Sequence, residues 1–585
     1  MSIKKPARYS NKLQFILLGF LLLLGFYFRF TNLESKVFWV DEIATAIRVS
    51  GYTISEVTNN LQQQDILNFN DLLIYQKVTD NKNFFDSWQT LTKSPEHAPL
   101  YFVLNRFWMQ LWGSSIATMR SLSAVLGLLV LPALYWLCQE LFDRPFVSQM
   151  AIALMSVSPF YVAYAQEARP YSLWTIAILL MSASFLKAIR VNNWQSWIIY
   201  SLCVIFSFYT SLFSIYVAFF QGIYILFSPL KRKLLIIKKY CLYSAISLLA
   251  FVPWILIIIN NLERLQENTS WMRGNFNLVE IIAVFIGTIL LTFGDLPISQ
   301  DSNPAQTAIV LIIIVIVFLA ITVSYRYWKN KPAKFGILLS ISSGVLLWYK
   351  YVYFDLVSII GGLVALIILS VSGYSLYYLI SNTNRDRWLF ILCLIISLPL
   401  PLLIVDIINQ GQGSTAPRYL IPLQLGIQIA VAYTFTKKIV LEPKNSFWKY
   451  LVIGFLILGI FSCIRNLNLS PFYQKGRNIN NPAIANMIDR NDSALLLVEP
   501  DNAMDSLSLA YSLSNRTKYK IINADEDILK YSDRFLSIFL LKPSSLILSS
   551  LENNPQIGIK RVYNSHLFSA DEIPLDLWQL TINKY

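Results

Sequence analysis

The sequence predicts a polytopic α-helical membrane protein, and three observations carry that prediction. Of 585 residues 55% are hydrophobic and only 14% charged, and the mean hydropathy of +0.50 lies outside the range of soluble globular chains. Apolar runs of roughly the ~20 residues that a ~30 Å hydrocarbon core requires recur between about residues 13 and 464. They are too long and too closely spaced for the ~10-residue alternating segments of a membrane barrel. Lys and Arg gather in the gaps between runs, so the net charge of +14 describes loops at a membrane and excludes a nucleic-acid-binding surface as the natural reading.

The first run, about residues 13–30, follows Lys4, Lys5, Arg8 and Lys12 and is not followed by a small-residue cleavage site. It reads as an uncleaved anchor with its N-terminus inside. A long first external loop, 31–118, comes next, opening with the adjacent acids Asp41 and Glu42 and rich in amides further on. Within it, the short apolar helix beginning at Leu100 suits the membrane surface, where its Tyr and Trp residues favour the interface. A run at about 121–141 crosses inward, and one at about 146–164 returns outward to Gln166, Glu167, Arg169 and Tyr171.

Helices at about 172–188, 196–208, 212–227 and 240–259 follow, and Lys231, Arg232, Lys233, Lys238 and Lys239 fall on the internal side of this count. The apolar stretch 278–293 reads as re-entrant or surface-lying. Crossings at about 307–324, 335–349, 357–379 and 389–408 alternate across the internal basic group Arg326 to Lys334. The turn Asn409 to Pro417 then leads into Arg418 and Tyr419 and a helix ending near residue 436. A last span at about 450–464 brings the expectation to about thirteen crossings in a membrane domain of residues 1–465.

From residue 466 to 585 Asn, Asp and Ser become common, and short apolar runs at 494–498 and 520–522 alternate with helix-like pieces. That pattern predicts a small external α/β domain of about 120 residues. No glycine-rich phosphate loop follows Val498. All five cysteines fall within expected helices as apolar packing residues, so they give no disulfide framework and no redox compartment.

Polar residues therefore collect on one face of the membrane: Asp41, Glu42, His97, Glu167, Arg169, Tyr171, Arg418 and Tyr419. Charge at mid-span is nearly absent, and no two corresponding helices are interrupted as a transporter's would be. Chemistry at the external face follows from that distribution.

Four short motifs carry a resemblance: Asp41-Glu42 after the first helix, His97-Ala98-Pro99-Leu100-Tyr101, Tyr164-Ala165-Gln166-Glu167-Ala168-Arg169-Pro170-Tyr171, and Arg418-Tyr419-Leu420-Ile421-Pro422. Their order and shared face resemble the GT-C membrane glycosyltransferases, in the branch of the protein O-mannosyltransferases and lipid A aminoarabinose transferases. Ala98 departs from the commoner His-Pro-Pro form. The resemblance implies a GT-C fold and transfer, with inversion, of a sugar from a polyprenyl-phosphate donor to a lipid, polysaccharide or protein acceptor on the external face of a plasma (inner) membrane.

It further implies Asp41 as general base, with Glu42 orienting a sugar or acceptor hydroxyl. Arg418, Tyr419 and Arg169 would bind the donor phosphate, whose growing charge suits a forked guanidinium. His97, Glu167 and Tyr171 would bind sugar or acceptor, while His566, the second histidine, reads as structural. No residue spacing suggests a metal cluster, and metal independence is the expectation; a divalent cation at the acid pair is the alternative the residues leave open. Transport or flipping of lipid-linked glycans is the alternative function, and a scaffold whose tail binds a partner is a third.

Overall fold

The computed structural model describes residues 8–295, 356–442, 446–468, 477–523, 526–564 and 575–582. The expected crossings at about 307–324 and 335–349, the basic group Arg326 to Lys334, and His566 lie outside these residues. After α1 (Arg8–Phe30), the first loop folds into α2 (Val40–Ser50), α3 (Ile54–Gln63), the two-residue strand β1 (Leu67–Asn68), α4 (Phe69–Leu72), α5 (Phe84–Thr92) and α6 (Leu100–Trp112). The bundle continues through α7 (Ile116–Phe142), α8 (Pro145–Ser156), α9 (Pro159–Ala165), α10 (Tyr171–Val191), α11 (Trp194–Thr210), α12 (Ser214–Phe227), α13 (Lys233–Asn260), α14 (Leu262–Asn268) and α15 (Leu278–Phe293). Beyond residue 355 stand α16 (Leu356–Asn382), α17 (Arg385–Ile396), α18 (Pro399–Asn409), α19 (Ile421–Leu441) and α20 (Ser446–Asn468).

Among the described residues eight helical segments are long and apolar enough to cross a membrane, or nine if the bent pair α8 and α9 counts as one. Helices α11, α12 and α15 are 17, 14 and 16 residues long, shorter than the ~20 residues of a full crossing. The bundle is centred on α19: 94% of its most apolar window is buried, against 17% for α13 at the edge.

The single outward crossing expected at about 146–164 is instead a pair of helices bent by 63°. Pro159 has no N–H to continue the ladder and disfavours the helical region for the residue before it, and Ser158 is extended (φ −73°, ψ 119°). At the break the carbonyls of Met155 and Ser156 accept from the buried Arg29 guanidinium at 3.2 and 3.0 Å. The bend sends α9 toward the end of α1, which places Gln166 to Arg169 beside the first loop.

From Arg477 onward the chain forms α21 (Asn481–Asp489), β2 (Ala494–Val498), α22 (Ala503–Ala510), β3 (Lys518–Ile521), β4 (Ser537–Leu541), α23 (Ser545–Glu552), β5 (Ile557–Tyr563) and β6 (Leu577–Ile582). The strands make one sheet in the order β1-β3-β2-β4-β6-β5. Its centre is parallel, β2 lying between β3 and β4, and β2 is buried at every residue, as suits a strand covered on both faces. One edge is β1, antiparallel to β3. The first loop therefore supplies a strand to the tail's sheet, so a boundary at residue 466 runs through the sheet, with β1 on one side and β2 to β6 on the other.

Candidate active site

Asp41 and Glu42 occupy the first turn of α2, where the helix N-terminus favours negative charge. Successive side chains on a helix diverge by ~100°, and these two acids end in different surroundings. Glu42 is 1% exposed. Its carboxylate accepts from Arg120 Nε at 2.8 Å, from Arg120 Nη2 at 2.6 Å and from the Ala168 amide at 2.8 Å.

Arg120 in turn donates to the carbonyls of Leu33, Lys36 and Val37 at 2.6, 3.1 and 3.0 Å. Glu42 thus clamps the first loop to the start of α7 and to the turn after α9. Three of its roughly four acceptor sites are taken by the bonds from Arg120 and Ala168, which makes it a holder of the wall of the site in this structure. Among the described residues no group of three or more His, Cys, Asp or Glu side chains could hold a metal.

Asp41 keeps about a third of its side chain exposed and lies 3.5 Å from Arg169 Nη2. Arg169 Nη1 also donates to the Asp41 carbonyl at 3.3 Å and to Thr45 Oγ1 at 3.1 Å. Burial works against the Arg169 charge, but Asp41, Tyr171 and Glu167 more than offset it and raise its pKa above the ordinary arginine range. The turn carrying Arg169 is fixed from two sides. Gln166 donates to the carbonyls of Phe28 and Thr31 at 2.7 and 2.9 Å, while Glu167 accepts from the Trp39 indole at 3.0 Å. Tyr171, buried, lies beneath Arg169 with its ring centre 5.9 Å from the guanidinium carbon.

His97 sits in the turn before α6, its ring 5.5 Å from that of Phe102. Burial first, and then Arg48, Arg169 and Arg418, push its pKa well below the ordinary value. It is neutral at pH 7, so its 3.6 Å approach to Glu96 is not an ion pair there. Glu96 accepts from Asn268 at 3.0 Å and stands 3.7 Å from Arg48.

Arg418 lies in the 3-10 turn Pro417–Leu420 ahead of α19. Its guanidinium carbon is 5.7 Å from the Trp271 ring centre and 5.2 Å from that of Tyr419. Among the described residues it has no acidic partner and no hydrogen bond, and its Nε is buried without one. It lies within electrostatic reach of Asp41, Tyr171 and Tyr164. Tyr419 packs on Phe213 at 4.6 Å.

Two contacts bring Trp271 to this position: Gln412 donates from its backbone to the Met272 carbonyl at 3.0 Å and from its side chain to that of Trp271 at 2.8 Å. Asp406, buried, folds the turn by accepting from the amides of Gly413 and Ser414 at 2.8 and 2.7 Å. A Cβ at Gly411 would collide with the Met272 carbonyl oxygen, so only glycine admits this approach.

The fold brings Asp41, Arg169, Tyr171, His97, Arg418 and Tyr419 into one region and sets Glu42 and Glu167 in its supporting wall. Arg120, Gln166, Trp39, Trp271 and Asp406 were not anticipated as parts of it. A small pocket lined by Lys36, Trp39, Glu42, Arg120, Gln166 and Glu167 lies in the wall and includes neither Asp41 nor Arg418.

Residues 96–257 match the family model described as Dolichyl-phosphate-mannose-protein mannosyltransferase. That segment holds two of the four motifs, His97 to Tyr101 and Tyr164 to Tyr171, so the resemblance read from the sequence has a family match behind it. No curated protein matches the chain. Among solved structures, ArnT from Cupriavidus metallidurans bound to undecaprenyl phosphate is 11% identical with a TM-score of 0.39, covering 98% of both chains. AglB from Archaeoglobus fulgidus, in complex with an inhibitory peptide and a dolichol-phosphate, is 10% identical with a TM-score of 0.42, covering 92% of this chain and 70% of its own.

Proposed function

We propose that this chain is an inverting glycosyltransferase that moves a sugar from a polyprenyl-phosphate carrier to an acceptor hydroxyl at the external face of a plasma membrane. The observation that carries the reading is a carboxylate about a third exposed, Asp41, within electrostatic reach of an arginine, Arg418, that lies against aromatic rings and makes no close ion pair among the described residues. An acid that can take a proton and an uncommitted cation for a phosphate are the two groups this transfer needs.

In the proposed step an acceptor oxygen attacks the anomeric carbon from the side opposite the phosphate and loses its proton to Asp41. The bond from the anomeric carbon to the phosphate oxygen breaks, and the polyprenyl phosphate leaves with the electron pair. A single displacement inverts that carbon. Arg418 binds the departing phosphate, its fork matching two phosphate oxygens, with Tyr419 as a further donor. Arg169 orients Asp41 and completes the positive surround. Tyr171 and the neutral His97 border the space for sugar or acceptor.

The test offers undecaprenyl-phosphate-linked mannose, glucose and 4-aminoarabinose, labelled in the sugar, to membranes containing wild type or Asp41→Asn. Release of undecaprenyl phosphate and entry of label into lipid, polysaccharide and protein fractions are followed together. Transfer by wild type, reduced at least a hundredfold in Asp41→Asn with insertion intact, supports the reading. Movement of donor between leaflets without cleavage, unaffected by Asp41→Asn, sinks it in favour of a flippase.

A further inference from the structure

Helix α2 begins without a cap of its own. Its N-cap residue is Trp39, which makes no side-chain capping bond, yet the first amides of any helix have no partner inside it. The amides of Glu42 and Ile43 turn back to the Trp39 carbonyl at 2.9 and 3.0 Å. The Val40 amide, buried one residue before Asp41, donates instead to Asn478 Oδ1 at 3.0 Å, across 438 residues of chain. A side chain of the tail therefore does for α2 what a local Ser, Thr, Asn or Asp does for most helices.

The capping amide is itself held in place. Asn478 is 2% exposed and its φ of 69° is in the left-handed region, which asparagine tolerates better than most residues. Its Nδ2 donates to Asp505 Oδ1 at 3.0 Å, and Arg477 grips the same carboxylate through Nε and Nη2, both at 3.0 Å. One turn along α22 from Asp505, Ser508 donates to the Phe38 carbonyl at 2.7 Å. The backbone on either side of Trp39 is thus gripped by one turn and one helix face of the tail.

We infer that Asn478, oriented by Asp505 and Arg477, is a positioning residue for Asp41, capping in trans the helix that carries it. This deepens the proposed function and rests on it for the link to catalysis. Adhesion of the tail to the first loop does not need this contact. That adhesion is supplied by the β1–β3 pairing, by Gln62 on Asn523 at 2.6 Å, and by Lys520 on the Gln64 carbonyl at 2.7 Å. The Asn478 bond falls instead on the amide next to the acid.

The experiment uses the full chain in membranes and compares wild type, Asn478→Gly, Asp505→Asn and the double exchange Asn478→Asp with Asp505→Asn. Glycine at 478 removes the side chain while accepting the positive φ, so backbone strain does not confuse the result. The exchange keeps an oxygen for Val40 N–H and an amide to donate back to it, with net charge unchanged.

Two readouts are taken: amide hydrogen exchange of a peptide spanning residues 38–43 against one spanning β3, and steady-state release of undecaprenyl phosphate from the donor that wild type cleaves. Asn478→Gly should speed exchange at 38–43, leave β3 unchanged, and lower kcat about fivefold, the factor matching a typical cap. KM should hold, because only transition-state geometry is lost. The double exchange should recover both. Unchanged exchange at 38–43, or unchanged kcat where wild type turns over, overturns the inference. If wild type cleaves no donor, the proposed function fails and the exchange data still decide whether Asn478 caps α2.

Discussion

Arg418 is held by rings and not by acids, and that difference governs what its removal should do. The rings of Trp271 and Tyr419 lie 5.7 and 5.2 Å from its guanidinium carbon, and as it makes no close ion pair among the described residues, little folding energy depends on the charge. Arg418→Ala should lower turnover by roughly 10²-fold or more, the loss seen when a preorganised donor to a developing anion is removed. Arg418→Lys should fall between, since it keeps the charge but loses the fork and the stacking. Apparent melting temperature in detergent should move by only a few degrees in either variant. Equal turnover for wild type and Arg418→Lys, or a collapse of folding with Arg418→Ala, would remove it from the phosphate role. At this scale the sequence was informative: an arginine beside a tyrosine at a helix entrance, with no nearby acid, is visible in Arg418-Tyr419. Its second ring is not, because Trp271 lies 147 residues earlier and reaches it only through the Gln412 and Asp406 contacts.

At the scale of elements, α2 separates two acids that the sequence writes side by side. Treating both as catalytic required no knowledge of where the helix begins; separating them does, and Trp39 is not a residue that announces an N-cap. Glu42 belongs to a buried pair with Arg120, and removing one partner of such a pair strands the other charge. Glu42→Leu or Arg120→Met alone should therefore destabilise by ~3–5 kcal/mol, whereas the two together should cost much less. Thermal or denaturant unfolding of the four proteins in one detergent decides it, and additive losses would show that the pair is not coupled. The bend between α8 and α9 was legible in principle, since Pro159 stands inside an apolar run; reading that run as one crossing gave its length more weight than its proline. β1 carried no such signal. Two residues, Leu67 and Asn68, have no periodicity, and only their register against Tyr519 and Lys518 makes them a strand.

For the whole molecule, the sequence changes composition near residue 466, and the break suggested a membrane part followed by a separable tail. The contacts point to a different unit. The first loop gives the tail's sheet an edge strand, the tail gives α2 its cap, and Tyr511 reaches Gln76 at 2.8 Å and packs edge-on against Phe38. Chain truncated after Asn468 should still insert, because the apolar helices precede the cut, but its first loop would lose β3 as a partner and the Phe38 to Val40 backbone would lose its holders. Limited proteolysis should then cleave between about residues 51 and 96, where the intact chain resists, and transfer should be lost with it. A truncated protein whose first loop stays resistant would mean that α2 to α6 hold themselves together, and the tail would then be an addition to the site. The balance favours dependence: α3 buries only Val57 and Leu61, and an element with so little core of its own takes its stability from what it is docked against.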